Sequence, residues 1–285
     1  MKSQRNIVYQ ITRFIVSIYF HIYHRISVCG TEKIPRGRAV IVASNHASYL
    51  DPPLVGYAFY PRYLKFIAWD KLFSFKPFGA FLRIMGTLPV SQENKNSSAA
   101  LLREAIGYVS GGFDLFICPE GHRTEDGLLH PLEGGVAIMA LKTGAPVVPV
   151  YCAGTYRALS PHMKFPRPCK LSVTFGDAID PAGIDENLPD KEKRRYILDR
   201  IEEFYKAEDA KDKEKYPLKP QRAKKAKKPG PARLKSLLQA RRSFLLAKNF
   251  YFIRALMPSP NAFVRSAPSS MQPLTAYLNL SLSRK

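Results

Sequence analysis

Acidic residues are missing from the last quarter of this chain. Residues 215–285 hold 16 Lys and Arg and no Asp or Glu, whereas residues 1–214 hold 28 basic and 23 acidic side chains. The net charge of +21 at pH 7 is therefore carried mainly by a tail. Cysteine is scarce as well: Cys29, Cys118, Cys152 and Cys169 stand far apart, without zinc-like pairing. That excludes a dense disulfide framework and points to a reducing compartment. The histidines are too scattered to suggest a metal site. No glycine-rich dinucleotide fingerprint, P-loop or internal repeat is present. An unbroken apolar run of roughly 20 residues, which a spanning helix needs, is also lacking. The nearest approach, residues 7–26, is interrupted by Arg13, His21, His24 and Arg25.

What this interrupted run does contain is a pattern. On a helical wheel Gln10, Arg13, Ser17, His21 and His24 form one narrow polar stripe, and the remaining face is broad and apolar. Residues 1–27 are thus expected to form an amphipathic helix in contact with a membrane interface, its stripe turned to the protein or to the headgroups. Packing into the core is the other reading. No small-residue cleavage site follows, so a removable signal peptide is not expected. At the far end, residues 211–285 read as a basic, partly disordered tail, broken by Pro217, Pro220, Pro229 and Pro231. Within it, residues 232–257 interleave Leu234, Leu237, Leu238, Leu245 and Phe252 with basic side chains, as an amphipathic helix would. Anionic lipid attracts such segments at about 1 kcal/mol per Lys or Arg near the surface. Nucleic acid would attract them too, but ranks behind lipid and behind a solvated tail with no partner.

Between these ends, residues 28–210 alternate short apolar runs with helical stretches. The pattern predicts an α/β domain with a mostly parallel central sheet flanked by helices. Strands are expected at 39–43, 64–68, 87–90, 114–118, 147–152 and 170–175. Helices are expected at 54–60, 71–85, 97–109, 135–142 and 191–206. The prolines of Pro146-Val147-Val148-Pro149-Val150 argue for a sheet edge or a bulge.

The first strand opens into Asn45-His46-Ala47-Ser48-Tyr49-Leu50-Asp51, followed by Pro52 and Pro53. Two prolines suit a first helical turn, with Asp51 just ahead as its N-cap. On a regular helix, residues five apart lie about 140° apart, so His46 and Asp51 meet only if the chain turns between them. A strand-to-helix corner supplies such a turn. Read alone, the pair could equally be a surface histidine and a cap. A second apolar strand ends in Pro119-Glu120-Gly121-His122-Arg123-Thr124, which read alone is a solvated turn.

Taken in order, Asn-His-(four residues)-Asp, Pro-Glu-Gly-x-Arg and Pro-Val-Val-Pro-Val resemble the glycerolipid acyltransferases, in particular the 1-acylglycerol-3-phosphate type. The resemblance covers roughly residues 28–180, with Gly30 and the turn Glu32-Lys33-Ile34-Pro35 fitting its lead-in. It implies transfer of a fatty acyl group from acyl-CoA or acyl-carrier protein to a lysophospholipid hydroxyl, with phosphatidic acid as product and no cofactor. His46 is then the general base, in keeping with an imidazole's ordinary titration near ~6.5. Asp51 orients the ring and stabilises its charged form. Glu120, Gly121 and Arg123 match the acceptor-binding block, with arginine's planar fork suited to phosphate. Two departures leave the acceptor open between lysophosphatidate and another lysolipid. His122 stands where the family commonly has Thr or Ser, and Gln92 where it usually has arginine; Arg83 is a candidate substitute. A lipid substrate also implies a membrane-associated enzyme, its site expected to face the cytoplasm. A non-catalytic lipid- or nucleic-acid-binding protein using the tail is the alternative from another class.

Overall fold

The computed structural model describes residues 7–90 and 95–217. They lie in one compact unit ending at Pro220; the second unit, Gln221–Lys285, falls outside the described residues. Gln92 and the helical pattern at 232–257 fall outside them too. In chain order the elements are α1 (Ile7–His24), β1 (Ser27–Cys29), β2 (Ile41–Ser44), α2 (Asp51–Ala58), β3 (Leu64–Lys65), β4 (Ile67–Trp69), α3 (Lys76–Ile84) and β5 (Leu88–Val90). There follow α4 (Lys95–Ser110), β6 (Asp114–Ile117), α5 (Gly135–Thr143), β7 (Val147–Ala153), α6 (Thr155–Ala158), β8 (Ser172–Phe175) and α7 (Asp190–Lys215).

The main sheet runs β1-β8-β7-β2-β6-β3, and only the β7–β8 pair is antiparallel. This is the mostly parallel α/β architecture expected. Both faces are covered, which is why its strands read as continuous apolar runs. Val40 and Val42 join a core with Phe20 of α1 and Leu54 and Val55 of α2. Ile41 and Ala43 point the other way, into a core with Val136 and Ala140 of α5 and Ile197 and Ile201 of α7. Strand alternation thus divides one apolar run between two layers.

Several expected elements differ. The strand at 64–68 is two: it leaves the main sheet at Phe66, whose ring packs 5.4 Å from that of Phe116, and re-forms as β4 paired with β5. The helix at 71–85 is a 3-10 turn, Asp70–Phe73, followed by α3. Pro77 sits in the first turn of α3, where a proline ring would clash with the carbonyl four residues back had the helix run through. The helix at 191–206 extends to Lys215, past residue 211 where the tail was set to begin.

Of the two placements expected for the proline-bearing strand, an edge or a bulge, the structure shows the bulge. β7 is internal, between β8 and β2. It tolerates Pro149 because the β8 side is bulged there. Val147 pairs with Ile179 and Val150 with Phe175, so residues 148–149 face residues 176–178. The nitrogen of Pro149 faces this gap, and its carbonyl accepts Gly176 N–H at 2.8 Å. A Cβ on Gly176 would lie 2.9 Å from the Pro149 ring.

In α1 the polar stripe turns inward at Gln10, Arg13 and His24, while His21 is exposed with Nδ1 2.9 Å from the Ser17 carbonyl. The Gln10 amide donates to the Tyr63 hydroxyl, Arg13 lies 3.3 Å over the Tyr60 ring, and His24 bonds the Cys169 carbonyl and the Tyr19 hydroxyl. Ile7, Ile11, Phe14, Ile15, Ile18 and Ile22 are left exposed. No described helix is long and apolar enough to cross a membrane.

A buried ion pair ties β6 to the loop before β3. Arg62 donates through Nε to Asp114 Oδ2 at 2.8 Å and through Nη2 to Oδ1, while Val40 N–H reaches Oδ1 at 3.0 Å. Burial pushes the Asp114 carboxyl up, and Arg62 opposes that shift. Arg62→Ala strands the carboxylate, and is expected to cost about 3–5 kcal/mol in denaturant unfolding at neutral pH. An acid whose folded pKa is raised stabilises the fold below that pKa and loses this as pH rises through it. The deficit should therefore shrink on acidification. An unchanged midpoint at neutral pH would show that the pair contributes nothing.

Candidate active site

The C-terminal ends of the adjacent parallel strands β6, β2 and β7 lie together, and each carries one of the sequence blocks. An open parallel sheet places its ligands at this edge. β2 delivers Asn45 and His46, β6 the turn 118–124, and β7 the segment from Cys152 to Arg157.

The chain does turn between His46 and Asp51. Nδ1 of His46 lies 3.1 Å from Asp51 Oδ2; the imidazole is 20% exposed and the carboxylate 0%. The N–H groups of Ala47 and Ser48 also donate to Oδ2, each at 2.7 Å, so the loop is wound around this one oxygen. Asp51 is not the N-cap expected: it is the first residue of α2, and Leu50 occupies the cap. The reason is local. Pro52 and Pro53 have no N–H, so the first turn offers a capping carboxylate few donors, and the side chain faces back to the loop. Because the carboxylate accepts from Nδ1–H, the Nε2 of His46 carries the lone pair. Asp51 Oδ1 is buried without a hydrogen-bond partner among the described residues.

Other groups fix the main chain of His46. Its N–H donates to Glu120 Oε1 at 2.8 Å and its carbonyl accepts Thr124 N–H at 2.9 Å. Glu120 Oε2 accepts His130 N–H at 3.0 Å. Burial pushes the Glu120 carboxyl up, offset by these amides and by the imidazoles of His46 and His130. Glu120, expected at the acceptor, thus holds the main chain of His46 and of His130 together. Asn45 had no role assigned. Its amide accepts Cys152 N–H at 2.7 Å and donates to the Cys152 carbonyl at 3.3 Å, extending the β2–β7 ladder by a side chain. Ser48 Oγ donates to the Leu159 carbonyl at 2.7 Å. Asn45 opens the Asn-His-(four residues)-Asp block, and its place directly beyond the last residue of β2 is a second signal that could have singled it out.

The guanidinium of Arg123 lies 3.5 Å over the Tyr49 ring, and its Nη1 is buried with no hydrogen-bond partner among the described residues. Gly121 takes φ +72°, a left-handed conformation that favours glycine, and a Cβ there would also lie 2.5 Å from Glu133 Oε1. His122 is exposed, its ring 5.4 Å from that of His130. Arg83 is elsewhere, on α3 above the Phe73 ring.

Beside His46 opens a cleft of about 450 Å³, open solvent included. It is lined by Asn45, His46 and Glu120 together with Tyr151, Arg157 and the last turns of α7. Arg123 is outside this lining. Arg157 forms a two-pronged pair with Asp212, at 2.6 and 2.8 Å, and the Tyr151 hydroxyl donates to Asp209 at 2.9 Å. Burial and the neighbouring Asp209 push the Tyr151 phenol far up. Burial likewise raises the Cys152 thiol well above its ordinary value, so it is not a ready nucleophile.

A His–Asp pair at the C-terminal ends of the central strands of a mostly parallel α/β domain is an arrangement suited to group-transfer or hydrolytic chemistry. The sequence profile of the acyltransferase family matches residues 25–153. Over those residues the chain is similar to the acyltransferase domain. Among similar proteins is the chloroplastic 1-acyl-sn-glycerol-3-phosphate acyltransferase BAT2 of Brassica napus, 30% identical over 54% of this chain and 44% of that protein. The 1-acyl-sn-glycerol-3-phosphate acyltransferase of Bacillus subtilis is 25% identical over 64% of this chain and 86% of its own. The crystal structure of PlsC, the 1-acyl-sn-glycerophosphate acyltransferase of Thermotoga maritima, superposes with a TM-score of 0.60 at 26% identity, covering 74% of this chain and 84% of that one. The chain spans less than half the length of the plant relative.

Proposed function

We propose that this protein is a lysophospholipid O-acyltransferase that acylates 1-acylglycerol-3-phosphate to phosphatidic acid, with acyl-CoA or acyl-carrier protein as donor. The single observation that carries the reading is the His46–Asp51 pair, 3.1 Å apart beside an open cleft. Nε2 of His46 takes the proton of the acceptor hydroxyl as its oxygen attacks the thioester carbonyl. The C–O bond forms, the C–S bond breaks, and the proton passes to the departing sulfur. Asp51 stabilises the imidazolium in between. Because the nucleophile is the substrate's own hydroxyl, no acyl-enzyme is required.

Arg123, with a buried donor unspent and its plane fixed by Tyr49, is suited to the acceptor phosphate. Gly121 lets the turn adopt the shape that presents it, and Glu120 anchors that turn to His46. Arg123→Ala should raise the acceptor KM about 10–100-fold, the loss of a charge-assisted hydrogen bond, with kcat little changed. A change confined to the donor KM would refute the assignment. The exposed His122 supports a second reading, acylation of another lysolipid. Labelled acyl transfer to lysophosphatidate and other lysolipids by the purified protein decides: turnover of another acceptor without lysophosphatidate turnover removes the first choice.

The exposed apolar side of α1 supports membrane contact, with the inward stripe holding the helix to the domain. A long-chain lysolipid would rarely leave the bilayer, since each methylene is worth about 0.8 kcal/mol. We place the enzyme on an anionic membrane surface, its site facing the cytoplasm.

A further inference from the structure

We propose that α3 is a second membrane-insertion element, which sinks Phe75 and Phe78 into an anionic bilayer surface under Lys76 and Arg83. An ordinary amphipathic helix buries its large apolar side chains and exposes its small or polar ones. α3 departs from this pattern. Its one buried residue is Gly79, and a Cβ there would lie 2.5 Å from the Phe73 carbonyl oxygen. The helix is thus seated backbone against backbone on the 3-10 turn Asp70–Phe73; Phe81 and Leu82 are half-buried, while Phe78 and Ile84 are turned outward. Phe75 is 69% exposed and Phe78 42%, and Ala80 between the basic positions is exposed too. The aromatic rings are joined laterally, Phe78 stacking on Phe81 with centroids 6.1 Å apart.

Charge identifies the occupant. Lys76 and Arg83 flank the apolar residues and are exposed, and no Asp or Glu occurs from Lys71 to Val90. The chain's own tail, with 16 basic and no acidic residues, has the wrong sign to cover this face. A second copy paired through α3 would oppose like charges. An anionic lipid surface meets both demands, taking the rings among its acyl chains and the cations at its headgroups. This contact is carried by residues other than those of α1, and rests on the preceding reading only in its choice of a bilayer.

The test uses the full chain with Trp69→Phe and Phe78→Trp combined, so that the introduced indole is the only one. With mixed phosphatidylglycerol–phosphatidylcholine vesicles, its emission should shift to the blue and be quenched by lipids brominated along their acyl chains. In the otherwise native chain, Phe75→Ser with Phe78→Ser should lower vesicle partitioning about tenfold or more at an unchanged thermal midpoint. Protein that sediments with vesicles while the indole stays unquenched overturns the proposal and leaves the α1 contact standing. An indole that answers to a soluble acidic carrier protein, and not to vesicles, makes α3 a protein-docking face instead. Failure to sediment at all removes both membrane contacts.

Discussion

His46→Ala is expected to lower kcat for acyl transfer by about 10³-fold or more at an unchanged thermal midpoint. General-base removal alone is worth about 10²–10⁴, and nothing else lining the cleft offers a free lone pair in the same place. The fold should not notice. The main chain at this position is held by the Glu120 carboxylate and by Thr124 N–H, neither of which involves the ring. Asp51 keeps two of its three donors, the amides of Ala47 and Ser48. Substrate KM values should stay within a few-fold, because the ring makes its contribution during proton transfer. A folded variant with more than a tenth of wild-type turnover would remove His46 as the base.

Asp51→Asn should cost about 10²–10³-fold in kcat, and the geometry says why. Tautomer loss is the first explanation that comes to mind for such a change, but three N–H groups converge on Oδ2. The asparagine carbonyl is the only half of the amide that can occupy that spot, since its NH₂ would face two main-chain donors. The carbonyl therefore still accepts from Nδ1–H, and Nε2 stays free. What disappears is the negative charge opposite the developing imidazolium, in a fully buried site where charge counts most. Asp51→Ala adds a separate defect, leaving two buried amides unpaired at about 1–3 kcal/mol each. Kinetics and thermal unfolding together distinguish them: Asn should lose rate with a modest midpoint change, Ala should lose both. Wild-type turnover in the asparagine variant would show that the carboxylate charge is not used.

Much of this site was legible before any coordinates. Val40–Ala43 is apolar at every position because each face of the strand meets its own helical layer, and a run of that kind followed by His, Asp and two prolines marks a corner. Other duties were not legible. Glu120 looks in sequence like a ligand-facing acid, yet both oxygens hold main-chain amides, one of them 74 residues away. The extension of α7 to Lys215 was not legible, because residues 207–215 carry few apolar side chains to mark a helical face. Two of these residues, Asp209 and Asp212, are drawn to Tyr151 and Arg157 and make that end a wall of the cleft. Pro149 left an edge and a bulge open, because a missing N–H is cheap at either. The bulge opposite it provides the same relief inside the sheet.

By itself, then, the sequence determined the alternation of strand and helix, the two-sided burial of the sheet, and the residue types gathered at its strand ends. These follow from local periodicity and from the few residues, proline and glycine above all, that restrict the backbone directly. Tertiary structure alone decided the strand order, the inward turn of the α1 stripe, the outward turn of α3, and which carboxylate oxygen each buried amide would find. Those are choices among partners far apart along the chain. They are made by packing and by the cost of leaving a buried polar group unpaired, which no local pattern records.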